Sequence, residues 1–297
     1  MRGAEMVPGR HFFDIGAAGV EVHPRVRAPE PGLGARLRIS DRVSTSVEGL
    51  DELLRGGIPR GSTTLIEGGA GTGKTLLGLH FLLAGAAAGE SGVLLTLEES
   101  ADQLRDVAAG FGFDLPALEG SGQLTIEYAS PFELSTDRFL NRARQRVEAS
   151  GARRVVLDSL TGLAMGVPSE RRFRELVHAM SKHLRHAGVT LLMTLEVPTL
   201  VGSPQLAGQG ILAAADNIVL LRYMELDGRL ERAVFVLKAR GVAHSTELRH
   251  AEIDDTGFHV GDPFVALRDV LTGLPVPVGT TSTNEPAPEG FPADLRS

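Results

Sequence analysis

The chain has 297 residues, enough for one substantial core with tails or for two small domains. Its 30 Lys and Arg residues against 37 Asp and Glu residues give a net charge of -7, which argues against a basic surface for nucleic acid. The chain contains no cysteine, which excludes disulfides, thiol catalysis and cysteine-ligated zinc. The first residues lack the apolar core of a secretion signal and no apolar run is long enough to span a bilayer, so we expect a cytoplasmic protein without a membrane anchor.

The first 41 residues are rich in proline and glycine and show no helical period. Within them, Phe12–Val22 predicts a hairpin that turns near Gly19. The next stretch, Arg42–Gly61, has leucines at helical spacing followed by two glycines and a proline. This pattern predicts a short helix with a firm stop.

A glycine-rich loop between a strand and a helix is the most specific motif of the chain. The run Thr63–Ile66 predicts a strand, and Leu76–Ala88 predicts a buried helix. The segment between them fits G-x-x-x-x-G-K-[ST], the phosphate-binding loop, and consists of Gly68, Gly69, Ala70, Gly71, Thr72, Gly73, Lys74 and Thr75. We expect backbone N–H groups to surround the phosphates, Lys74 to reach the β- and γ-phosphates, and the Thr75 hydroxyl to ligate Mg²⁺. The sequence therefore predicts a nucleoside triphosphate site.

Strands and helices alternate after this loop. In chain order they are strand Val93–Leu97, helix Ala101–Phe111, strand Leu124–Tyr128, helix Thr136–Ala149, strand Arg153–Asp158, helix Glu170–His186 and strand Val189–Leu195. This alternation predicts an α/β fold with a mostly parallel sheet covered by helices on both faces. Three further strands predict a C-terminal antiparallel set: Ile218–Tyr223, Arg232–Arg240 and Thr246–Ile253. The Pro-, Thr- and Ser-rich stretch Thr280–Ser297 predicts a disordered end.

Three acidic residues follow predicted strands at their carboxyl ends. Asp158 closes the apolar run VVLD, the arrangement of a Walker B carboxylate that holds Mg²⁺. Glu98 and Glu99 close the strand after the phosphate-loop helix, at the edge where open α/β sheets bind ligands. One of these glutamates can orient or deprotonate an attacking water, or both can stabilise the start of the next helix. Position alone does not decide between the two roles.

Six ordered motifs between residues 42 and 264 resemble KaiC-like ATPases of the RecA superfamily. They are the run Thr45–Gly61, the phosphate loop, LTLEES at Leu95–Ser100, VVLDSLTGL at Val155–Leu163, DNIVLLRY at Asp216–Tyr223 and LKARGVAH at Leu237–His244. One departure is Ser46, where the family usually has glycine. The resemblance implies a RecA-like P-loop core that binds ATP with Mg²⁺ and hydrolyses it.

The resemblance also implies roles for four charged residues. It favours catalysis over helix capping for Glu98 and Glu99. It further implies that Lys238 and Arg240 reach the triphosphate of a neighbouring subunit in a ring, usually a hexamer. A cation near the γ-phosphate stabilises the charge that develops in the transition state, which agrees with that role. Without the family, a solvated pair on an edge strand would be the simpler interpretation.

Two differences from the clock members of this family limit what the resemblance implies. Those members have two such domains in tandem, whereas this sequence has one phosphate loop. We expect residues 1–41 to resemble the closing strands of a preceding domain, residues 42–264 to form the ATPase domain, and residues 265–297 to form a tail. The autophosphorylated Ser-Thr pair of clock members corresponds here to Leu212 and Ala213, which have no hydroxyl. We therefore do not expect the clock-type serine/threonine autokinase cycle, although transfer to another protein hydroxyl stays open.

The residues of the candidate DNA-contacting segments distinguish a recombination mediator from an ATPase switch. A RecA- or RadA-type recombination mediator grips DNA with cations or aromatic residues on its channel loops. The stretch Val197–Ala215 has no Lys, Arg or aromatic residue, and the basic run Arg171–Arg174 is flanked by Glu170 and Glu175. We therefore favour a ring-forming ATPase that switches an unidentified protein partner or its own assembly. A nucleotide-bound scaffold without turnover is disfavoured because every catalytic position is filled.

Overall fold

A single central sheet organises the chain in the computed structural model, which describes residues 11–17, 19–23, 40–133, 136–197, 209–265, 267–268 and 276–277. The strands are β1 Phe12–Gly16, β2 Gly19–His23, β3 Arg42–Val43, β4 Ile58–Pro59, β5 Thr63–Gly68, β6 Gly92–Thr96, β7 Leu124–Tyr128, β8 Arg154–Asp158, β9 Thr190–Glu196, β10 Asn217–Leu226, β11 Arg229–Ala239, β12 Arg249–Asp254, β13 Gly257–Pro263, β14 Leu267–Arg268 and β15 Val276–Pro277. The helices are α1 Glu48–Leu53, α2 Lys74–Ala87, α3 Ala101–Gly110, α4 Leu115–Gly120, α5 Thr136–Ser150, α6 Leu160–Met165, α7 Glu170–His186 and α8 Gln209–Ala214, with a short 3₁₀ turn at Pro131–Glu133.

The central sheet has nine strands among the described residues, in the order β13-β12-β11-β10-β5-β9-β8-β6-β7. The six strands from β10 to β7 run parallel, and β11, β12 and β13 continue the sheet antiparallel. This arrangement confirms the predicted α/β class with a C-terminal antiparallel set. The phosphate-loop strand β5 lies between β9 and β10, so the loop opens at the carboxyl edge of the parallel strands, in the middle of the nine-stranded sheet.

Helices cover both faces of the sheet, which explains why every residue of β5, β6 and β8 is buried. Adjacent residues of a strand point to opposite faces, and Leu65 and Ile66 accordingly belong to different cores. The Leu65 core packs against α5, α6, α7 and α8. The Ile66 core packs against α1, α2, α3, α4 and the β12–β13 hairpin. Along the described parts of the chain, we find no helix with both the length and the apolarity to cross a membrane.

Most predicted elements lie within a few residues of the observed ones. The N-terminal hairpin forms as predicted, with Gly16 opposite Gly19. Strands β10 and β11 are longer than predicted because the tight Asp227-Gly228 turn, with φ of 52° and 72°, lets them pair up to its edge. The sequence pattern does not predict α4, α6 or α8, since six residues are too few to show a helical period. The predicted disordered end Thr280–Ser297 lies outside the described residues.

Candidate active site

The phosphate loop joins β5 to α2, and its backbone requires glycine at two positions. Gly71 and Gly73 have φ of 72° and 98°, in the left-handed region that side chains disfavour. A Cβ on Gly73 would also lie 2.7 Å from the Phe258 ring and 2.9 Å from Ile253. The β12–β13 hairpin therefore packs directly against the end of the loop. Since α2 begins at Lys74, the positive end of its dipole faces the same space.

Lys74 is buried and has two partners beside the loop. Its Nζ donates to the carbonyl oxygen of Gly69 at 2.7 Å and lies 3.3 Å from Oε2 of Glu196. Glu196 ends β9 and pairs with Gly68 across the sheet, which brings its carboxylate to the loop. A triphosphate must therefore compete with Glu196 for the ammonium. The sequence analysis missed Glu196 because the predicted strand ends one residue earlier, although an acid at a strand's carboxyl end is the same signal that identified Asp158.

Thr75 and Asp158 are brought together at this edge of the sheet. The Thr75 hydroxyl donates to Oδ2 of Asp158 at 2.7 Å, and the hydroxyl of Thr194 on β9 donates to Oδ1. A hydroxyl and a carboxylate oxygen beside a phosphate loop are the ligands with which proteins hold Mg²⁺ together with substrate phosphates. The residues present therefore fit the predicted Mg²⁺ site. Thr194 was not singled out from the sequence, because threonine is ordinary in a buried strand.

The start of α3 bears on the two interpretations of Glu98 and Glu99. Ser100 is the N-cap of α3, and it forms a capping box with Gln103, in which each side chain bonds the other residue's backbone N–H. The helix start is therefore already capped by other residues. The Oε1 of Glu98 instead accepts a hydrogen bond from the hydroxyl of Ser159, which directly follows Asp158.

The two glutamates have carboxylates as neighbours; the Glu98 side chain is exposed at its surface, whereas Glu99 is half-buried. Burial is the largest cause that raises the pKa of Glu98, the carboxylates of Asp158 and Glu196 act in the same direction, and the hydrogen bond from Ser159 opposes them. Burial also raises the pKa of Glu99, followed by the charges of Asp158 and Glu98. A carboxylate with a raised pKa is a stronger base at neutral pH, which suits proton abstraction from water.

Lys238 and Arg240 are not close to the phosphate loop of their own chain. Lys238 pairs with Ile218, which lies opposite Leu65, whereas the loop follows Gly68 at the other end of β5. Arg240 comes two residues later on the side away from the loop. The length of β5 therefore separates the two cations from the loop by about 10 Å or more.

The contacts of these two cations involve the C-terminal end of α8. Lys238 Nζ donates to the carbonyl oxygens of Leu212 and Ala215 at 3.0 and 2.7 Å. The Arg240 guanidinium lies 3.8 Å from Oδ1 of Asp216, and its side chain is 54% exposed. An exposed arginine at the edge opposite the loop can reach a site outside its own chain.

The basic run on α7 is neutralised within the chain. Phe173 is buried, and each arginine of the run faces a carboxylate. The pairs are Arg171–Glu175 at 3.1 Å, Arg172–Asp137, and Arg174–Glu170 at 3.8 Å. DNA phosphates would have to displace these carboxylates, so this run of arginines offers little net attraction for nucleic acid. Residues 198–208 of the other candidate DNA contact lie outside the described residues.

Ser46, the departure noted from the KaiC-like motif, lies in a backbone conformation that favours glycine. Its φ is 60°, and its Oγ lies 3.1 Å from Nδ1 and 3.2 Å from the carbonyl oxygen of His80 on α2. The other ring nitrogen of His80 accepts the N–H of Phe258 at 3.0 Å. Burial is the largest cause that lowers the pKa of His80, which keeps the ring neutral for these bonds. At Ser46 the backbone strain is therefore offset by a hydrogen bond to α2 that glycine could not form.

We expect the free energy of unfolding of Ser46→Ala to be about 1 kcal/mol lower than that of Ser46→Gly. At most positions the alanine variant is the more stable of the two, so the expected order is the reverse. Both variants lose the hydrogen bond to His80, but only alanine keeps a Cβ in the left-handed region. Urea unfolding of the two variants measures the difference directly. A more stable alanine variant would contradict the assigned strain.

Known proteins are similar to this chain in sequence and in fold. The family described as "ATPase: KaiC" matches residues 43–264. The circadian clock protein KaiC3 of Synechocystis sp. is 32% identical over 235 residues, covering 79% of this chain and 46% of the relative. A UPF0273 protein of Methanopyrus kandleri is 35% identical over 238 residues, covering 75% of this chain and 92% of the relative. The crystal structure of the KaiC-like protein PH0186 from Pyrococcus horikoshii has a TM-score of 0.68 and 34% identity, covering 76% of this chain and all of that one.

The chain spans about half the length of the clock proteins it matches. The circadian clock oscillator protein KaiC of Parathermosynechococcus lividus, for example, is 32% identical over 289 residues, which are 96% of this chain and 52% of the relative. The family match and the fold cover the phosphate loop, the strand-end acids and the antiparallel strands together. The chain belongs to the KaiC family of ATPases and has their RecA-like fold.

Proposed function

We propose that this chain is a regulatory ATPase that binds ATP with Mg²⁺, hydrolyses it, and completes each active site with residues from a neighbouring copy of itself. The observation that carries the proposal is the meeting of Lys74, Thr75, Asp158 and Glu98 at one edge of the sheet. These four side chains come from α2, β8 and the end of β6, and supply the binding, metal-holding and basic groups that hydrolysis needs.

Each of these groups has a distinct task in hydrolysis. The loop amides, the start of α2 and Lys74 bind the phosphates, and Thr75 and Asp158 hold Mg²⁺. Mg²⁺ held by these two residues would neutralise charge on the phosphate oxygens. Glu98 or Glu99 orients the attacking water and accepts its proton, with Ser159 fixing the Glu98 carboxylate. The raised pKa of both glutamates favours this transfer near neutral pH.

The transition state also needs cations near the γ-phosphate, and Lys238 and Arg240 are proposed to supply them to a neighbouring chain. Their place at the opposite edge of the sheet supports a role in trans, because neither can serve the loop of its own chain without refolding β11. A closed ring of identical chains lets every loop receive one such pair, and a hexamer is the ring proposed here. The partner that such a switch controls is a protein of unknown identity.

Replacing Lys74 tests the nucleotide site. We expect Lys74→Ala to abolish ATP binding and turnover while leaving the thermal unfolding temperature close to that of the wild type, because Nζ faces the loop rather than the apolar core. The matched control is Lys182→Ala, which removes an exposed lysine of α7 and should change neither quantity. Equilibrium binding of a fluorescent ATP analogue with Mg²⁺ measures the effect. Unchanged affinity of the Lys74→Ala variant would overturn the proposed function.

A further inference from the structure

The antiparallel pair β10–β11 reaches the tip of the phosphate loop through two side chains. Tyr223 and Arg232 lie directly opposite each other on these strands. The Tyr223 hydroxyl donates to the carbonyl oxygen of Gly71 at 2.7 Å, and Arg232 Nε donates to the same oxygen at 3.4 Å. The Arg232 guanidinium also lies 5.4 Å from the centre of the Tyr223 ring, close enough for a cation–π contact. We refer to these two residues and the Gly71 carbonyl as the loop clasp.

The loop clasp determines the orientation of one peptide unit. In a planar trans peptide, the carbonyl oxygen of Gly71 and the N–H of Thr72 point in opposite directions. The clasp holds the oxygen on the side of β10 and β11, so the N–H of Thr72 points away from these strands. There the Thr72 N–H donates a long hydrogen bond, 3.5 Å, to the carbonyl oxygen of Gly69, which also accepts the Thr72 hydroxyl at 2.9 Å and the Lys74 ammonium at 2.7 Å. The Thr72 N–H thus points into the loop beside Lys74, where a phosphate oxygen could replace Gly69 as its acceptor.

The clasp and the loop are fitted to each other in shape as well. Gly71 has φ of 72°, and a Cβ there would lie 3.0 Å from the Tyr223 hydroxyl oxygen. A side chain at position 71 would both strain the backbone and push the tyrosine away. The loop motif by itself allows any residue at this place, so the preference for glycine comes from the left-handed backbone and from the close approach of Tyr223, which lies 152 residues further along the chain.

We propose that Tyr223 and Arg232 are positioning residues that hold the phosphate loop in its nucleotide-binding conformation. They act through the Gly71 carbonyl, which keeps the Thr72 N–H directed inward before nucleotide arrives. Such preorganisation lowers the cost of binding without adding a contact to the nucleotide. The inference rests on the proposed function, since it concerns affinity at the same site.

The test compares two tyrosine variants of the full chain. Tyr223→Phe removes only the hydroxyl and keeps the ring and the strand pairing. We expect the dissociation constant for a fluorescent ADP analogue with Mg²⁺ to rise roughly three- to tenfold, the effect of one neutral hydrogen bond, with unchanged unfolding temperature and kcat. The matched control is Tyr128→Phe, which removes the hydroxyl of the chain's other tyrosine on β7, five strands from β10, and should change nothing.

A second variant identifies how Arg232 acts. Arg232→Gln should weaken binding as well, and the double variant should lose less than the product of the two single effects, because both side chains hold the same oxygen. Unchanged affinity of Tyr223→Phe, or a loss of affinity matched by a lower unfolding temperature, would overturn the inference while leaving the proposed function intact. Failure of the wild-type chain to bind the analogue would overturn both.

Discussion

Mixing Arg240→Ala chains with Lys74→Ala chains should restore ATP turnover that neither variant has alone. Lys74 lies at the carboxyl edge of β5, whereas Arg240 follows β11 at the opposite edge. A site assembled from two chains therefore takes its loop from one and its arginine from the other. In mixed assemblies, some interfaces combine an intact loop with an intact arginine. A cation of this kind contributes ~10³–10⁵ to the rate in well-studied NTPases, so even a minority of repaired interfaces is measurable.

The structure supplies a mixture that should not recover. Lys74 and Glu98 both lie at the carboxyl edge of the same chain, so combining Lys74→Ala chains with Glu98→Gln, Glu99→Gln chains leaves every site defective. Steady-state ATP hydrolysis measures both mixtures, and light scattering measures their assembly. Wild-type specific activity should also rise with protein concentration around the assembly threshold. Absence of rescue in the Arg240 mixture, together with specific activity independent of concentration, would contradict the shared site.

The second large effect is expected from removing both candidate bases. Changing Glu98 and Glu99 together to Gln keeps their size and hydrogen bonding but removes the proton acceptor. We expect ATP to bind with similar affinity and turnover to fall by roughly 10²–10⁴, the usual contribution of general base catalysis. The matched control is Glu252→Gln, an exposed residue of β12. Full turnover in the double variant would remove both glutamates from the catalytic machinery.

The same double variant has a predicted effect on stability that depends on pH. The pKa values of Glu98 and Glu99 are raised in the folded chain, so ionising them costs stability. The free energy of unfolding of the wild type is therefore highest, as far as these two groups are concerned, below the ordinary glutamate pKa. It falls as the pH rises through the raised pKa values of the folded chain. The glutamine variant lacks this loss and should be more stable than the wild type at pH 7, with a smaller difference at pH 4. Thermal unfolding at the two pH values measures the change, and a less stable variant at pH 7 would contradict the assigned pKa directions.

The sequence by itself determines the parts of the site that are local in the chain. The phosphate loop is eight consecutive residues, and spacing alone is enough to propose roles for its glycines, lysine and threonine. The alternation of strands and helices likewise predicts the parallel sheet, and places Asp158, Glu98 and Glu99 at its carboxyl edge. The prediction of the sheet is confirmed because strand and helix patterns depend on neighbours within a few residues.

Only the tertiary structure decides which distant residues contact the loop. The loop strand β5 lies between β9 and β10, strands that come more than a hundred residues later, and this order brings Glu196 to Lys74 and Tyr223 to Gly71. No sequence period encodes that neighbourhood, because hydrogen bonding between parallel strands is not specific to residue type. Arg240 lies at the edge of the sheet opposite the loop because β11 runs antiparallel to β10. The sequence motif around Arg240 does not indicate this position. The sequence thus determines the chemistry of each group, and the strand order determines which groups act together.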